Sequence, residues 1–177
     1  MKTILVMAVT LALLTGLCAN SQVTPSLQLD PSVAWGKPVD GLVVGISCDT
    51  SVTNSRSLSN ISFYVANVGD HDIGNIIQGD ERCILIVNGQ NYAQYGQRSG
   101  GKSTWIPPGR KYGPIPIDTR KYRRIPETTA SPTLQDLDNA PIPSLKAGTN
   151  NVSVYYIRGF KMGDKVVQSG ETKIFVK

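Results

Sequence analysis

The chain has 177 residues, of which 40% are hydrophobic and 18% charged, and its formal net charge is +5. This length fits one domain with a sizeable core behind a short leader. A charge excess of this size is no evidence for a nucleic-acid partner, so no nucleic acid is expected. Beyond the leader no apolar stretch is long enough to span a membrane, which excludes a membrane-spanning helix there.

The first twenty-one residues have the pattern of a signal peptide. Lys2 supplies a positive charge, an apolar run follows over residues 4–14, and Ala19 and Ser21 occupy the small-residue positions of a cleavage site. The run is too short for an ordinary membrane-spanning helix. We therefore predict a signal peptide at residues 1–21.

Removal of this leader would leave residues 22–177 as one secreted or periplasmic domain. Cys18 raises the alternative of a lipid anchor, which would hold the protein on a membrane. Leu17 precedes this cysteine, whereas lipid-modified cysteines usually follow a small residue. Lipid anchoring is therefore the minor alternative.

Short apolar runs separated by turn residues predict β-strands through the first half of the domain. Apolar residues alternate with small or polar ones at 41–48 and 57–68, and a short apolar run at 83–88 ends at Asn88-Gly89. Asn-Gly is a strong hairpin signal, so a return strand is predicted from Tyr92 to Tyr95.

The second half of the domain continues the same pattern. Strands are predicted, in chain order, at residues 103–106, 114–118, 151–158, 164–168 and 171–176. Prolines flank or interrupt the first two, which is typical of edge strands. The last two are predicted to form a hairpin around Ser169-Gly170.

One short helix is predicted inside a long connection. Pro132 to Asp138 would form about two turns, with Ser131 as the N-cap. The connection, residues 126–148, contains four prolines and is long for a compact domain. Seven to nine short strands with at most one short helix predict an all-β protein, either an antiparallel sandwich or a barrel.

Two cysteines, Cys48 and Cys83, follow the leader. An even pair in an exported chain favours a disulfide, and both residues are predicted on buried strand faces. Such a bridge would close a loop of about 35 residues and stabilise the fold by about 3–4 kcal/mol. The alternative is two buried thiols. With a single histidine in the chain, these cysteines fall short of the four ligands of a structural zinc site.

Residues 35–42 have the pattern W-G-x-x-V-x-G-L, and later turns contain Asn67-Val68-Gly69-Asp70 and Pro107-Pro108-Gly109. These three short motifs resemble those of a class of uncharacterised exported bacterial β-sandwich domains. The resemblance covers most of residues 33–177 and implies an immunoglobulin-like antiparallel sandwich with no known chemistry. The cysteine pair and the proline-rich connection depart from the pattern. Trp35 is predicted to cap one end of the core.

Candidate catalytic groups are few. His71, in Asp70-His71-Asp72, could act as a base only if a distant hydroxyl folded onto it, and no Gly-x-Ser-x-Gly motif is present. Residues 96–103 match a phosphate-loop pattern, but Pro107 follows too soon for the required helix, so we interpret the match as a coincidence. We predict no catalytic, cofactor-binding or metal-binding residues. A small secreted hydrolase or metal-dependent enzyme centred on His71 is the alternative.

A basic cluster stands out near the middle of the chain. Its members are Arg110, Lys111, Arg120, Lys121, Arg123 and Arg124. On one surface these side chains would bind polyanions such as acidic polysaccharides or phosphate-rich envelope lipids. The candidate aromatic contacts are Trp105, Tyr112 and Tyr122. The alternative is a solvated edge strand whose charges prevent aggregation.

The sequence therefore predicts a secreted, non-catalytic binding module. Its partner would be a protein, a polysaccharide or the cell envelope, contacted by the loops at 69–81, 96–103 and 107–126. A carbohydrate-binding module is a further alternative. It requires aromatic rings, such as those of Trp105, Tyr92 and Tyr95, aligned on an exposed face.

Overall fold

The computed structural model describes residues 27–48, 52–54, 56–77, 79, 82–95, 102–125, 139–158 and 165–177. Within these ranges the chain is strand, turn and loop, with a turn of 3-10 helix at Thr119–Lys121. No helix among these residues has the length and apolar character needed to cross a membrane. The predicted leader, with Cys18, and the predicted helix at 132–138 lie outside the described residues.

The strands form two main sheets and one small sheet. The first sheet contains, in spatial order, β1 (Ala34–Trp35), β2 (Leu42–Cys48), β4 (Ile61–Asn67) and β9 (Lys111–Pro116). The second sheet contains β10 (Tyr122–Arg124), β7 (Gln90–Gln94), β6 (Cys83–Val87), β11 (Gly148–Arg158), β13 (Thr172–Val176) and β3 (Val52–Thr53), with β12 (Lys165–Gln168) also beside β11. The small sheet pairs β5 (Ile73–Ile77) with β8 (Ser103–Ile106). Neighbouring strands are antiparallel, except that β13 and β3 run parallel.

The two main sheets face each other across one hydrophobic core. Alternate residues of β2 point inward, and Leu42, Val44 and Ile46 are fully buried. Phe63 of β4 meets Tyr156 of β11 from the opposite sheet, with ring centroids 6.1 Å apart. Burial of each large apolar side chain stabilises the fold by roughly 1.5–3 kcal/mol. The predicted all-β antiparallel sandwich is confirmed, whereas its immunoglobulin-like type stays a prediction.

The structure has more strands than the seven to nine predicted. β1, β3 and β10 have only two or three residues each, which is too short for an alternating pattern to show. The strand predicted to start at residue 57 starts at Ile61. Residues 57–60 form a loop instead, and Asn60 has a φ of 55°, which ends any extended backbone there.

Two tight hairpin turns use an acid or an amide followed by glycine. Asn88 and Gly89 join β6 to β7 with φ values of 50° and 77°, and Asp40 and Gly41 precede β2 with values of 48° and 76°. Positive φ at both central residues defines the type I′ turn, for which Asn-Gly and Asp-Gly are the preferred pairs. The hairpin predicted at Asn88-Gly89 is confirmed.

The hairpin predicted around Ser169-Gly170 is wrong. Both β12 and β13 pair antiparallel with β11, one beyond the other. At the break between them, the backbone N–H of Val154 donates to Ser169 Oγ at 2.9 Å. The Gly170 N–H donates to the Ala34 carbonyl at 2.9 Å, which ties β1 of the first sheet to the second sheet. A Cβ at Gly170 would lie 2.7 Å from the Trp35 carbonyl oxygen, so this close approach requires glycine.

The predicted disulfide is also wrong, because no disulfide joins Cys48 to Cys83. Cys48 ends β2 and lines a small cavity with Ile174, whose partner on β11 is Asn150. Cys83 pairs with Tyr156, six residues further along β11. At about 3.3 Å per residue this offset is roughly 20 Å, whereas bridged cysteines need Cα atoms within about 7 Å of each other.

Trp35 covers the outer face of the first sheet rather than capping an end of the core as predicted. Its indole lies on Gly45 of β2, where a Cβ would come within 2.7 Å of the ring. The ring centroid is 6.0 Å from that of Tyr64, and Nε1 donates to the Asp30 carbonyl at 3.0 Å. These internal contacts agree with a structural role for Trp35.

Candidate functional site

A short connection, residues 117–121, passes from β9 of the first sheet to β10 of the second. Ile117 and Tyr122 are buried at its two ends, where their apolar bodies anchor the backbone in the core. Thr119 Oγ1 donates to the Leu58 carbonyl at 2.6 Å. The connection is therefore fixed against the loop that precedes β4.

An open cleft of about 610 Å³ lies between this connection and that loop. Its walls are residues 57–62 and residues 116–121. The polar groups they contribute are the hydroxyls of Ser57, Ser59, Ser62 and Thr119, the amide of Asn60 and the charged groups of Asp118, Arg120 and Lys121. The volume is in the range of ligand sites, but the lining is much more polar than that of a usual small-molecule pocket. This composition suits a polar ligand that enters from solvent.

An ion pair occupies one wall of the cleft. Arg120 donates from Nε and Nη2 to the two carboxylate oxygens of Asp118, at 2.8 and 3.0 Å. These hydrogen bonds lower the pKa of Asp118, with a smaller contribution from the charge of Lys121, and they raise the pKa of Arg120. The Arg120 side chain is 85% exposed, so exchange of its partner for another anion costs little.

Lys121 supplies a second cation beside this ion pair. Its side chain is exposed, and it belongs to none of the salt bridges found among the described residues. With Arg120 and Asp118 it gives this wall a net charge of +1, so an anionic group would be attracted here.

The six residues of the basic cluster do not form one surface. Arg110 and Lys111 lie at the start of β9, and the cleft lies at its other end, roughly 17 Å away at about 3.4 Å per residue. Arg123 is half-buried, and its Nη1 donates to the carbonyls of Arg120 and Tyr122 at 2.7 and 3.0 Å. Only part of the cluster therefore borders the cleft.

Arg123 and Arg124, on β10, are both half-buried. The Arg123 guanidinium lies 5.5 Å from the centroid of the Tyr95 ring. Arg124 lies close enough to Tyr92 for its charge to act on that phenol, whose pKa is nevertheless raised because burial dominates. These two cations thus stabilise the edge of the second sheet more than they present charge to solvent.

The candidate aromatic contacts differ sharply in exposure. Trp105 is 66% exposed, whereas Tyr112 is half-buried and packs against the core. Tyr122 is fully buried, so its ring is not available to a ligand and the suggestion that it contacts one is corrected. Tyr92 is also buried and Tyr95 half-buried, so the aligned aromatic face required by the carbohydrate-binding alternative is not formed by these three rings.

His71 lies on an exposed turn. Its side chain is 72% exposed, and Nδ1 is 2.8 Å from Asp70 Oδ1. The hydrogen bond from His71 lowers the pKa of Asp70. Among the described residues no group of three or more His, Cys, Asp or Glu side chains is placed to hold a metal ion.

The phosphate-loop match lies mostly outside the described residues, which resume at Lys102. Ser103 begins strand β8. The residues after the match are therefore extended, and they do not supply the helix N-terminus that such a loop needs to bind phosphate.

Comparisons with protein-family models, with curated proteins and with solved structures found no match.

Sequence reasoning missed the serine-rich wall of the cleft. Residues 57–60 were predicted as the start of a strand, yet they form a loop. The available signal was the density of small polar residues, since serine and asparagine are typical of loops. Thr119, which joins the two walls, carries no local signal because its partner Leu58 is distant in the chain.

Proposed function

We propose that the protein is a secreted or periplasmic, non-catalytic binding module that takes an acidic polysaccharide into the cleft between residues 57–62 and 116–121. The observation that carries this proposal is the pairing of a wall of hydroxyl groups with a wall that holds Arg120 and Lys121. Sugar hydroxyls exchange hydrogen bonds with serine and threonine, and sugar carboxylates bind the two cations.

Arg120 supports recognition of a carboxylate in particular. Its guanidinium already holds the Asp118 carboxylate through two parallel hydrogen bonds, which is the geometry that a ligand carboxylate would adopt. Because the Arg120 side chain is 85% exposed, a ligand carboxylate can reach its guanidinium directly from solvent.

The exposed turn that carries His71 supports binding rather than catalysis. A general base in a hydrolase lies within hydrogen-bond reach of its nucleophile or substrate in a site that excludes water. The partner of the His71 ring is the neighbouring carboxylate of Asp70. The resemblance of residues 35–42 to exported domains supports an extracytoplasmic location and an immunoglobulin-like type of sandwich.

Retention on an acidic polysaccharide tests the proposal. We expect the purified protein to bind immobilised polygalacturonate and the double variant Arg120→Ser, Lys121→Ser to elute at clearly lower salt. Loss of two charge-assisted hydrogen bonds, at about 1.5–3 kcal/mol each, corresponds to at least a tenfold weaker affinity. The matched control is Arg110→Ser, Lys111→Ser, which removes the same charge at the other end of β9.

Any of three results would reject the proposal. The first is that the unmodified protein passes through the column, and the second is that both double variants elute at equally lowered salt. The third is that the protein binds phosphatidylglycerol vesicles but not polygalacturonate. The last outcome would assign the basic residues to a lipid surface.

A further inference from the structure

The Trp105 side chain packs directly on the backbone of the small sheet. Its indole lies flat over Gly74 of the neighbouring strand β5, where a Cβ would be 2.8 Å from Cε3, Cζ3 and Cη2 of the ring. One face of the indole therefore contacts backbone, and the side chain remains 66% exposed. The ring presents its other face to solvent.

The residues that precede Trp105 at the start of β8 are polar. Ser103 lies two residues earlier on the same strand, so it shares the outward face with Trp105, and Lys102 and Ser103 are both exposed. The other large exposed apolar side chains among the described residues are Val68, Ile142, Val166 and Phe175. None of them belongs to β8, so Trp105 is the one large exposed apolar side chain of that strand, all of whose residues the structure describes.

We propose that Trp105 is a stacking site for a sugar ring. A pyranose has a flat face of C–H groups and a rim of hydroxyls, which match a single exposed indole face beside a hydroxyl group. The apolar face of the sugar would cover the ring, and Ser103 Oγ would exchange a hydrogen bond with a rim hydroxyl. The site needs no ligand charge, so it does not rest on the function proposed for the cleft.

Because Gly74 has no side chain, the indole of Trp105 can lie flat against the backbone of β5. Any side chain at this position would lift the indole from the sheet. The backbone at Gly74 does not have the positive φ recorded for other glycines of the chain, so alanine is compatible with its conformation. Gly74→Ala therefore displaces the ring without removing it. Comparing this variant with Trp105→Ala shows whether binding depends on the orientation of the indole or only on its presence.

Affinity electrophoresis of the full chain in gels containing neutral polysaccharides tests the site. The probes are hydroxyethyl cellulose, xylan freed of its glucuronic acid branches, galactomannan and a β-1,3-glucan, none of which carries the charge that the cleft would bind. We expect at least one to retard the unmodified protein, and Trp105→Ala to weaken that retardation at least tenfold. Gly74→Ala should weaken it several-fold, and Phe175→Ala, which removes another exposed ring, should leave it unchanged.

Tryptophan fluorescence supplies a second measurement. The chain has two tryptophans, and Trp105 is the exposed one. The retarding polysaccharide should shift or quench emission in the unmodified protein and leave the emission of Trp105→Ala unchanged. The thermal midpoint of Trp105→Ala should stay close to that of the unmodified protein, since the ring is on the surface.

Several outcomes would overturn the inference. They are the absence of retardation by all four polysaccharides, retention of binding by Trp105→Ala, and an equal loss in Phe175→Ala. Loss of binding to phosphatidylglycerol vesicles in Trp105→Ala, without any effect of a polysaccharide, would likewise reject the sugar site and identify a lipid contact.

Discussion

Replacement of Asn67 by alanine should destabilise the protein more than any exposed substitution. Asn67 ends β4 and is fully buried. Its Nδ2 donates to the carbonyls of His71 and Ile106, both at 2.8 Å, and its Oδ1 accepts the Gly69 N–H at 2.9 Å. One side chain therefore holds together the end of the first sheet, the His71 turn and the end of the small sheet.

The expected cost follows from these three hydrogen bonds. The bonds to His71 and Gly69 contribute about 0.5–1.5 kcal/mol each, and leaving the buried Ile106 carbonyl without its partner costs about 1–3 kcal/mol. We therefore expect Asn67→Ala to lower the free energy of unfolding by about 3–5 kcal/mol. That is a large share of the roughly 5–15 kcal/mol available to a domain.

Urea unfolding followed by circular dichroism measures the effect. With a slope of about 2 kcal/mol per molar urea, the midpoint should fall by roughly 2 M. Asn91→Ala is the matched control, because Asn91 is exposed on β7 and its loss should cost less than about 0.5 kcal/mol. A midpoint for Asn67→Ala within 0.5 M or so of the unmodified protein would refute the assigned role.

Three further predictions concern other parts of the sandwich. Gly45→Ala would push a Cβ into Trp35, so it should cost about 1–3 kcal/mol in urea unfolding and shift tryptophan emission to the red; unchanged emission would contradict the packing described. Because no disulfide joins Cys48 to Cys83, a reductant should not change the unfolding midpoint. In denaturant, both cysteines should react with an alkylating reagent without prior reduction, which peptide masses will show. Alkylation that requires reduction would indicate a disulfide. The lowered pKa of Asp118 means that its carboxylate stabilises the fold above its unfolded pKa and that this contribution disappears as the pH falls through the folded value. Asp118→Asn should therefore be slightly less stable than the unmodified protein at pH 7 but not at about pH 2, while its released Arg120 should raise retention on polygalacturonate; equal stability at both pH values would contradict the ion pair.

Local patterns in the sequence were sufficient for most of the longer strands and for some turns. The alternation through Val44 and Ile46, and again through Val152 and Val154, depends only on neighbours in the chain, and each of these residues is buried as predicted. The turn at Asn88-Gly89 is equally local, because the two residues themselves favour the positive φ it needs.

Features that depend on distant segments could not be predicted. The alternation of apolar residues predicts which face of a strand a cysteine occupies, but it does not predict the position of that cysteine along the length of the sheet. Cys48 and Cys83 lie at different positions along β11, and this distance keeps them apart. Tyr122 lies between basic residues in the sequence, which predicts an exposed aromatic ring. In the structure its position on β10 places the ring in the core. The cleft joins segments about 60 residues apart, and no short-range pattern indicates that they meet.

The contact between Ala34 and Gly170 has a consequence for the order in which the fold is completed. Ala34 belongs to the earliest strand among the described residues, and its carbonyl bonds a residue that comes 136 positions later. Contacts of such long sequence separation form late, because much of the chain must be ordered before they can close. During synthesis, the contact between β1 and the second sheet therefore cannot form until residues 165–177 have been made. We expect this contact to be among the last of the sandwich to form.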